Sequence, residues 1–132
     1  MATMQVEVVS AEGHVLSGEA RELYARSVEG EIGILPGHQP ALVALDVGPV
    51  KLVLADGTVE RIAVHAGLLF VGEDGRAIVL ADIAERAADV DVRRAEARVR
   101  ELEAALATDD DAVLRMSLRK HRLRLEVARD QG

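Results

Sequence analysis

Hydrophobic and polar positions follow two different periods along the chain, and the switch falls near Asp82. Val6 and Val8 alternate with Gln5 and Glu7, the two-residue period of a half-buried strand. Residues 50–55 and 59–64 are two apolar-alternating runs joined around Asp56-Gly57, and residues 66–72 and 77–81 repeat the arrangement around Asp74-Gly75. Asp-Gly readily takes the positive φ values of tight turns, so both pairs predict hairpins. Gly13, Gly18, Gly30, Gly33, Gly37 and Gly48 punctuate the remainder. Short strands at this spacing predict an antiparallel β-sandwich or barrel over residues 1–84.

Beyond Asp82 glycine is absent until Gly132, and the period becomes helical. Val92, Ala95, Val99, Leu102 and Leu106 step by three and four, a heptad-like seam. The seam stops at Thr108-Asp109-Asp110-Asp111, where Thr108 and Asp111 have the spacing of a capping box and three carboxylates favour the positive end of a following helix. That second helix has its own stripe of Leu114, Leu118, His121, Leu125 and Ala128, and Arg119, Lys120, Arg122, Arg124 and Arg129 load its C-terminal half. Two such helices joined by a short turn, each roughly 30 Å long, predict an antiparallel hairpin. The expected organisation is therefore β + α: an N-terminal antiparallel β-sandwich at 1–84, then a C-terminal antiparallel two-helix hairpin within 85–132.

Composition narrows the chemistry. The 132 residues carry a net charge of −7. The excess of acid lies wholly in the first part, with 5 basic and 12 acidic residues up to position 84 against 11 of each afterwards. Such a balance argues against a nucleic-acid or anionic-lipid partner. Tyr24 and Phe70 are the only aromatic residues, too few to stack bases or sugars. With no cysteine there is no disulfide framework, thiolate metal site or thiol nucleophile. Gln5 and Glu7 interrupt any early apolar run, so no signal peptide is expected, and no stretch approaches the roughly 20 apolar residues of a membrane span.

Catalytic patterns are missing as well. His14, His38, His65 and His121 fall on different elements without chelating spacing. Serines at 10, 17, 27 and 117 are not in a nucleophile elbow, and no phosphate loop occurs. No catalytic residue and no metal site is expected. His121, which interrupts an apolar stripe, reads as a packed seam residue rather than a pH sensor. One segment stands apart: between positions 30 and 40 three glycines and two prolines fix an irregular backbone around Ile32, Ile34 and Leu35. On spacing alone it is equally a strand–turn corner or a rigid loop displaying Glu31 and His38 at one end of the domain.

The run Gly30-Glu31-Ile32-Gly33-Ile34-Leu35-Pro36-Gly37-His38 resembles the signature loop of the epsilon subunits of bacterial F-type ATP synthases, called delta in mitochondria. The opening strand at Met4–Ser10, the Ala66-Gly67 strand, the segment Ala81-Asp82-Ile83-Ala84-Glu85-Arg86-Ala87 and the order of sandwich before helices are similar too. The resemblance implies a non-catalytic subunit of the central rotor stalk. Its sandwich would bind the gamma subunit and sit on the membrane ring of c subunits, with Glu31 and His38 as implied ring contacts. Its helices would lie folded on the sandwich or extend toward the catalytic alpha and beta subunits and inhibit ATP hydrolysis, the Arg119–Arg124 cluster meeting acidic surface there.

The location so implied is peripheral, on the cytoplasmic face of the bacterial cell membrane, with neither direct membrane insertion nor nucleic-acid binding. No cofactor is required. Some family members bind ATP through a first-helix motif, and Val90, Asp91, Arg94 and Ala95 match it here, with Glu85 upstream and Lys120 and Arg124 on the second helix. ATP is thus an implied regulatory ligand; lysine at 120 lacks the bidentate phosphate grip of arginine. Two rival readings are a stand-alone ATP-sensing module and a small metal-dependent enzyme with a coiled-coil oligomeriser.

Overall fold

The computed structural model describes residues 2–129. Both Asp-Gly pairs turn the chain as expected. Gly57 and Gly75 take φ of 90° and 83°, and the preceding carboxylates accept from backbone N–H groups, Asp56 from Thr58 at 2.8 Å and Asp74 from Arg76 at 3.0 Å. The strands are β1 (Met4–Ser10), β2 (Gly13–Ser27), β3 (Gly30–Ile34), β4 (Ala41–Leu54), β5 (Val59–Val71), β6 (Ala77–Ala81) and β7 (Ala84–Arg86). They pair in the order β1-β6-β5-β4-β2-β3, with β7 on β5 and β1 also on β2, so the sheet closes on itself as a barrel-like sandwich. All pairings are antiparallel except β1–β6, which runs parallel from Val6↔Ala77 to Ser10↔Ala81. Small aliphatic side chains such as Val8, Leu23, Ile34, Leu52, Ile62 and Leu69 fill the interior.

The long β4–β5 ribbon changes face midway. Ile62 and Val64 point into the barrel, but beyond them it is Leu69 and Val71 that do; in β4 the inward residues shift likewise from Leu45 to Val50 and Leu52. The shift occurs where Asp46 and Ala66 both drop out of the ladder between Leu45↔Gly67 and Val47↔His65. Ala66 adopts a positive φ of 66°, and Gly67 follows at 156°. One half of the ribbon therefore presents Val47, Ala63 and His65 outward, and the other half presents Leu42, Leu68 and Phe70.

A single 3-10 turn (Ala87–Asp89) leads to α1 (Val92–Leu106) and α2 (Ala112–Arg129). Asp91 caps α1 by accepting from the Arg94 N–H at 3.1 Å. The predicted Thr108–Asp111 capping box does not form. Thr108 Oγ1 donates back to the Ala105 carbonyl, and Asp111 itself caps α2, accepting from Val113 at 2.7 Å and Leu114 at 3.2 Å. The predicted stripe of α2 is only half of its apolar surface. Leu118 and Leu125 are buried, but so are Leu123 and Val127, which join Val47, Ala63 and Ala87 in a second cluster outside the barrel. The helix needs two faces because it lies between α1 and the outer surface of β4 and β5. Among the described residues no helix is long and apolar enough to cross a membrane.

Candidate functional site

Where β7, the 3-10 turn, α1 and α2 meet, Glu85, Asp89, Asp91, Arg94, Ala95, His121 and Arg124 line a cleft of about 340 Å³. Glu85 is its hinge point. Arg124 of α2 donates to the Glu85 carboxylate, and Nε2 of buried His65 lies 3.6 Å from the same carboxylate. The His65 imidazole first, and then Arg124, hold Glu85 well below the ordinary carboxylate value, at about 2, against partial burial that pushes it up. Arg124 Nη1 also stands 3.0 Å from His121 Nδ1. Burial, with Arg124 and Arg98 adding to it, keeps His121 below the ordinary histidine value.

The fold thus brings together Glu85, Asp91, Arg94, Ala95 and Arg124 out of the seven candidate nucleotide-binding residues. Val90 and Lys120 do not line the cleft. Asp89 and His121 line it without a prior nucleotide role; Asp89 carries no sequence signal beyond its place three residues before α1. Asp91 and Arg94 are tied through a backbone cap, the Arg94 N–H donating to the Asp91 carboxylate, and not through a side-chain ion pair.

Glu31 and His38 are not presented side by side. Glu31 is exposed on β3, opposite Arg26 in the ladder and 4.0 Å from its guanidinium, in a cleft with Tyr24, Lys51 and Arg61. His38 sits in the turn after β3, its backbone N–H donating to the Leu35 carbonyl at 3.0 Å, in a separate cleft with Glu19, Glu73 and Asp74. Among the described residues no group of histidines and carboxylates is placed to hold a metal ion.

Sequence reasoning missed an apolar face on the outside of the sheet. Leu42, Phe70 and Ile78 face one another across β4, β5 and β6, with Leu68 and Leu80 in the adjoining row. Exposures of 68% for Leu42, 45% for Phe70, 42% for Leu68 and 47% for Leu80 are high for side chains of this size. In sequence these residues merge with their buried neighbours into continuous apolar runs. Only the pairing reveals that one row faces out.

Residues 3–87 match the family model described as "ATP synthase, Delta/Epsilon chain, beta-sandwich domain". The chain is 48% identical over 111 residues to the ATP synthase epsilon chain of Bordetella petrii, covering 84% of this chain and 78% of that one. It is 45% identical over 109 residues to the epsilon chain of Streptomyces avermitilis, covering 83% and 85%. A chain of the Euglena gracilis mitochondrial ATP synthase OSCP/F1/c-ring assembly has a similar fold, with a TM-score of 0.75 at 18% identity over 98% of this chain and 79% of that one. A chain of the Tetrahymena thermophila mitochondrial ATP synthase central stalk and c-ring gives 0.60 at 13% over 99% and 98%. The chain belongs to the delta/epsilon chain family of ATP synthase, as an epsilon chain of the F-type enzyme and not one of its catalytic subunits.

Proposed function

We propose that this subunit belongs to the rotor stalk, coupling rotation of the c-ring to the catalytic head, and that the apolar outer face of β4, β5 and β6 is the surface by which it holds the gamma subunit. The exposed rows Leu42–Phe70–Ile78 and Leu68–Leu80 carry this reading. A contiguous apolar face on a rigid sheet gains free energy on burial at roughly 25 cal/mol per Å². It is held by backbone pairing, so it needs no ordering before a partner covers it. The test is Leu68→Glu combined with Phe70→Glu. Co-purification with gamma is expected to fall at least about tenfold, because two carboxylates would be desolvated at the contact, while the circular dichroism spectrum stays that of the parent. Undiminished co-purification would place gamma elsewhere.

The loops at the ends of the sandwich then meet the ring of c subunits, Glu31 and His38 from two separate surfaces, and the subunit sits peripherally on the cytoplasmic face of the membrane. The hairpin is the regulatory part. Released from β4 and β5, it extends toward the catalytic alpha and beta subunits and restrains ATP hydrolysis.

A second reading concerns the cleft at Glu85, and its support is the gathering of five candidate residues from three elements, β7, α1 with its cap, and α2. ATP bound there would bridge α1 and α2 and favour the docked hairpin. Two arginines face three carboxylates in this cleft, and Arg124 is engaged by Glu85, so binding is expected to be weak. Millimolar ATP should raise the melting temperature slightly, and Arg94→Ala should abolish that rise. A rise that persists in Arg94→Ala locates the nucleotide outside the cleft.

A further inference from the structure

The domain is strongly acidic up to residue 84, yet three of its five basic residues, Arg26, Lys51 and Arg61, line one cleft of about 270 Å³ on the outer face of β2, β4 and β5. Tyr24, Pro49 and Val127 of α2 form its apolar walls, and Glu31 is the only carboxylate lining it. Lys51 and Arg61 stand directly opposite each other in the β4–β5 ladder. Like charges in that position repel, and small globular domains normally avoid them. The Lys51 ammonium stands 5.8 Å over the Tyr24 ring, but among the described residues no carboxylate comes within ion-pair distance of Lys51 or Arg61. Of the carboxylates on neighbouring positions, Glu60 is taken by Arg86 at 2.9 Å and Glu22 accepts from the Tyr24 hydroxyl. All three cations are half-buried, which strengthens their field relative to freely solvated side chains.

From this we infer that the Arg26–Lys51–Arg61 cleft is a docking site for an acidic segment of a partner protein, one that presents at least two carboxylates. Three cations facing one carboxylate leave two positive charges for a partner to neutralise. Glu31, 4.0 Å from Arg26, already occupies one end of the row as an internal carboxylate. The geometry favours a row of carboxylates over a single phosphate. Lys51 and Arg61 face each other on adjacent strands about 4.8 Å apart, whereas Tyr24 stands opposite Lys51 on β2 and Arg26 lies beside Gly48, so the three cations are spread along the strands as well as across them. The backbone N–H groups at these positions serve strand pairing, whereas a phosphate cradle presents free ones. Carboxylates two residues apart on an extended segment, roughly 7 Å from one another, can each meet a different cation of such a spread set. The site lies on the half of the β4–β5 ribbon before the Ala66-Gly67 kink, apart from the apolar face beyond it, and does not depend on the gamma-binding reading.

The experiment titrates a fluorescein-labelled hexaglutamate peptide with the full chain and follows anisotropy. A saturable rise is expected, weakening as sodium chloride is raised from 50 to 500 mM. Lys51→Glu with Arg61→Glu should weaken binding at least tenfold, and Arg76→Glu, an exposed cation elsewhere on the sandwich, should not. Lys51→Gln with Arg61→Gln guards against misfolding: relieving the cross-strand repulsion, it should keep the melting temperature at or above the parent's while still losing the peptide. Equal loss in Arg76→Glu, parent-like binding by either double variant, or no rise at all would overturn the inference. Displacement of the peptide by inorganic pyrophosphate at lower concentration than by unlabelled peptide, or preferential binding to phosphatidylglycerol vesicles, would overturn it in favour of a phosphate ligand.

Discussion

Replacing Gly67 by alanine is expected to lower the melting temperature by roughly 10 °C, corresponding to about 3 kcal/mol of lost stability for a chain of this size. A Cβ at this position would run into the Leu80 carbonyl and lie 2.8 Å from the Ala81 Cα, both backbone atoms of the paired strand β6, which cannot swing aside. The φ of 156° adds strain for any L side chain. The consequence is local as well as global. Ala66 and Gly67 make the kink at which β5 exchanges its inward and outward faces, so a backbone forced out of this geometry misplaces Leu68 and Phe70 on one side and His65 on the other. Gly48→Ala is the contrasting substitution. Its nearest obstacle, the Arg26 Cβ at 2.7 Å, is tied to its own backbone, but the clash is less close than the one at Gly67 and φ there is not positive, so the loss should be smaller. Thermal denaturation of the two variants beside the parent checks the ordering, and a Gly67→Ala melting temperature within about 2 °C of the parent would refute it.

The kink also explains what the sequence did and did not disclose. A two-residue period locates a strand only while its phase holds. Residues 59–64 and 66–72 each alternate cleanly, but in opposite phase, so they read as separate strands where the fold has a single β5. The turns were legible because Asp56-Gly57 and Asp74-Gly75 are chemically committed to them whatever surrounds them. Neither the sheet closure nor the parallel β1–β6 pairing leaves a local mark. In α2 the stripe through Leu118 and Leu125 was visible as the expected face toward α1. Leu123 and Val127 lie outside that stripe, and the second face they make declares itself only once Val47, Ala63 and Ala87 are found packed against it. The cleft at Glu85 was partly legible through family resemblance, since Asp91 and Arg94 lie on one helix. The basic cleft was not, because Arg26, Lys51 and Arg61 come from three strands and meet through register alone.

Leu123→Asp combined with Val127→Asp is expected to release the hairpin while the barrel stays folded. Those two side chains supply the helical half of the cluster against Val47, Ala63 and Ala87, and burying each is worth roughly 1.5–3 kcal/mol. Two carboxylates in the same place forfeit that gain and add a desolvation cost. The remaining ties cannot hold the helix down. Arg119 meets Asp46 at 3.3 Å near the surface, a contact worth about 1 kcal/mol or less, and the Glu85–Arg124 pair is itself partly solvated. Acid loosens the same joint. Glu85 has its pKa depressed in the folded state, from 4.5 to about 2, so its contribution is complete above pH 4.5 and is lost as pH falls toward 2. Released hairpin should appear as faster hydrogen exchange in residues 92–129 with β1–β6 protection unchanged. In the assembled enzyme the double variant should hydrolyse ATP more slowly than the parent, because its hairpin is free to reach the catalytic head, whereas removal of residues 88–132 should raise hydrolysis. Slow exchange persisting in the helices of the double variant would show that the Val47–Ala63 cluster is not what holds them. Hydrolysis unchanged in both variants, with release confirmed by exchange, would instead separate the hairpin from any restraint on the enzyme.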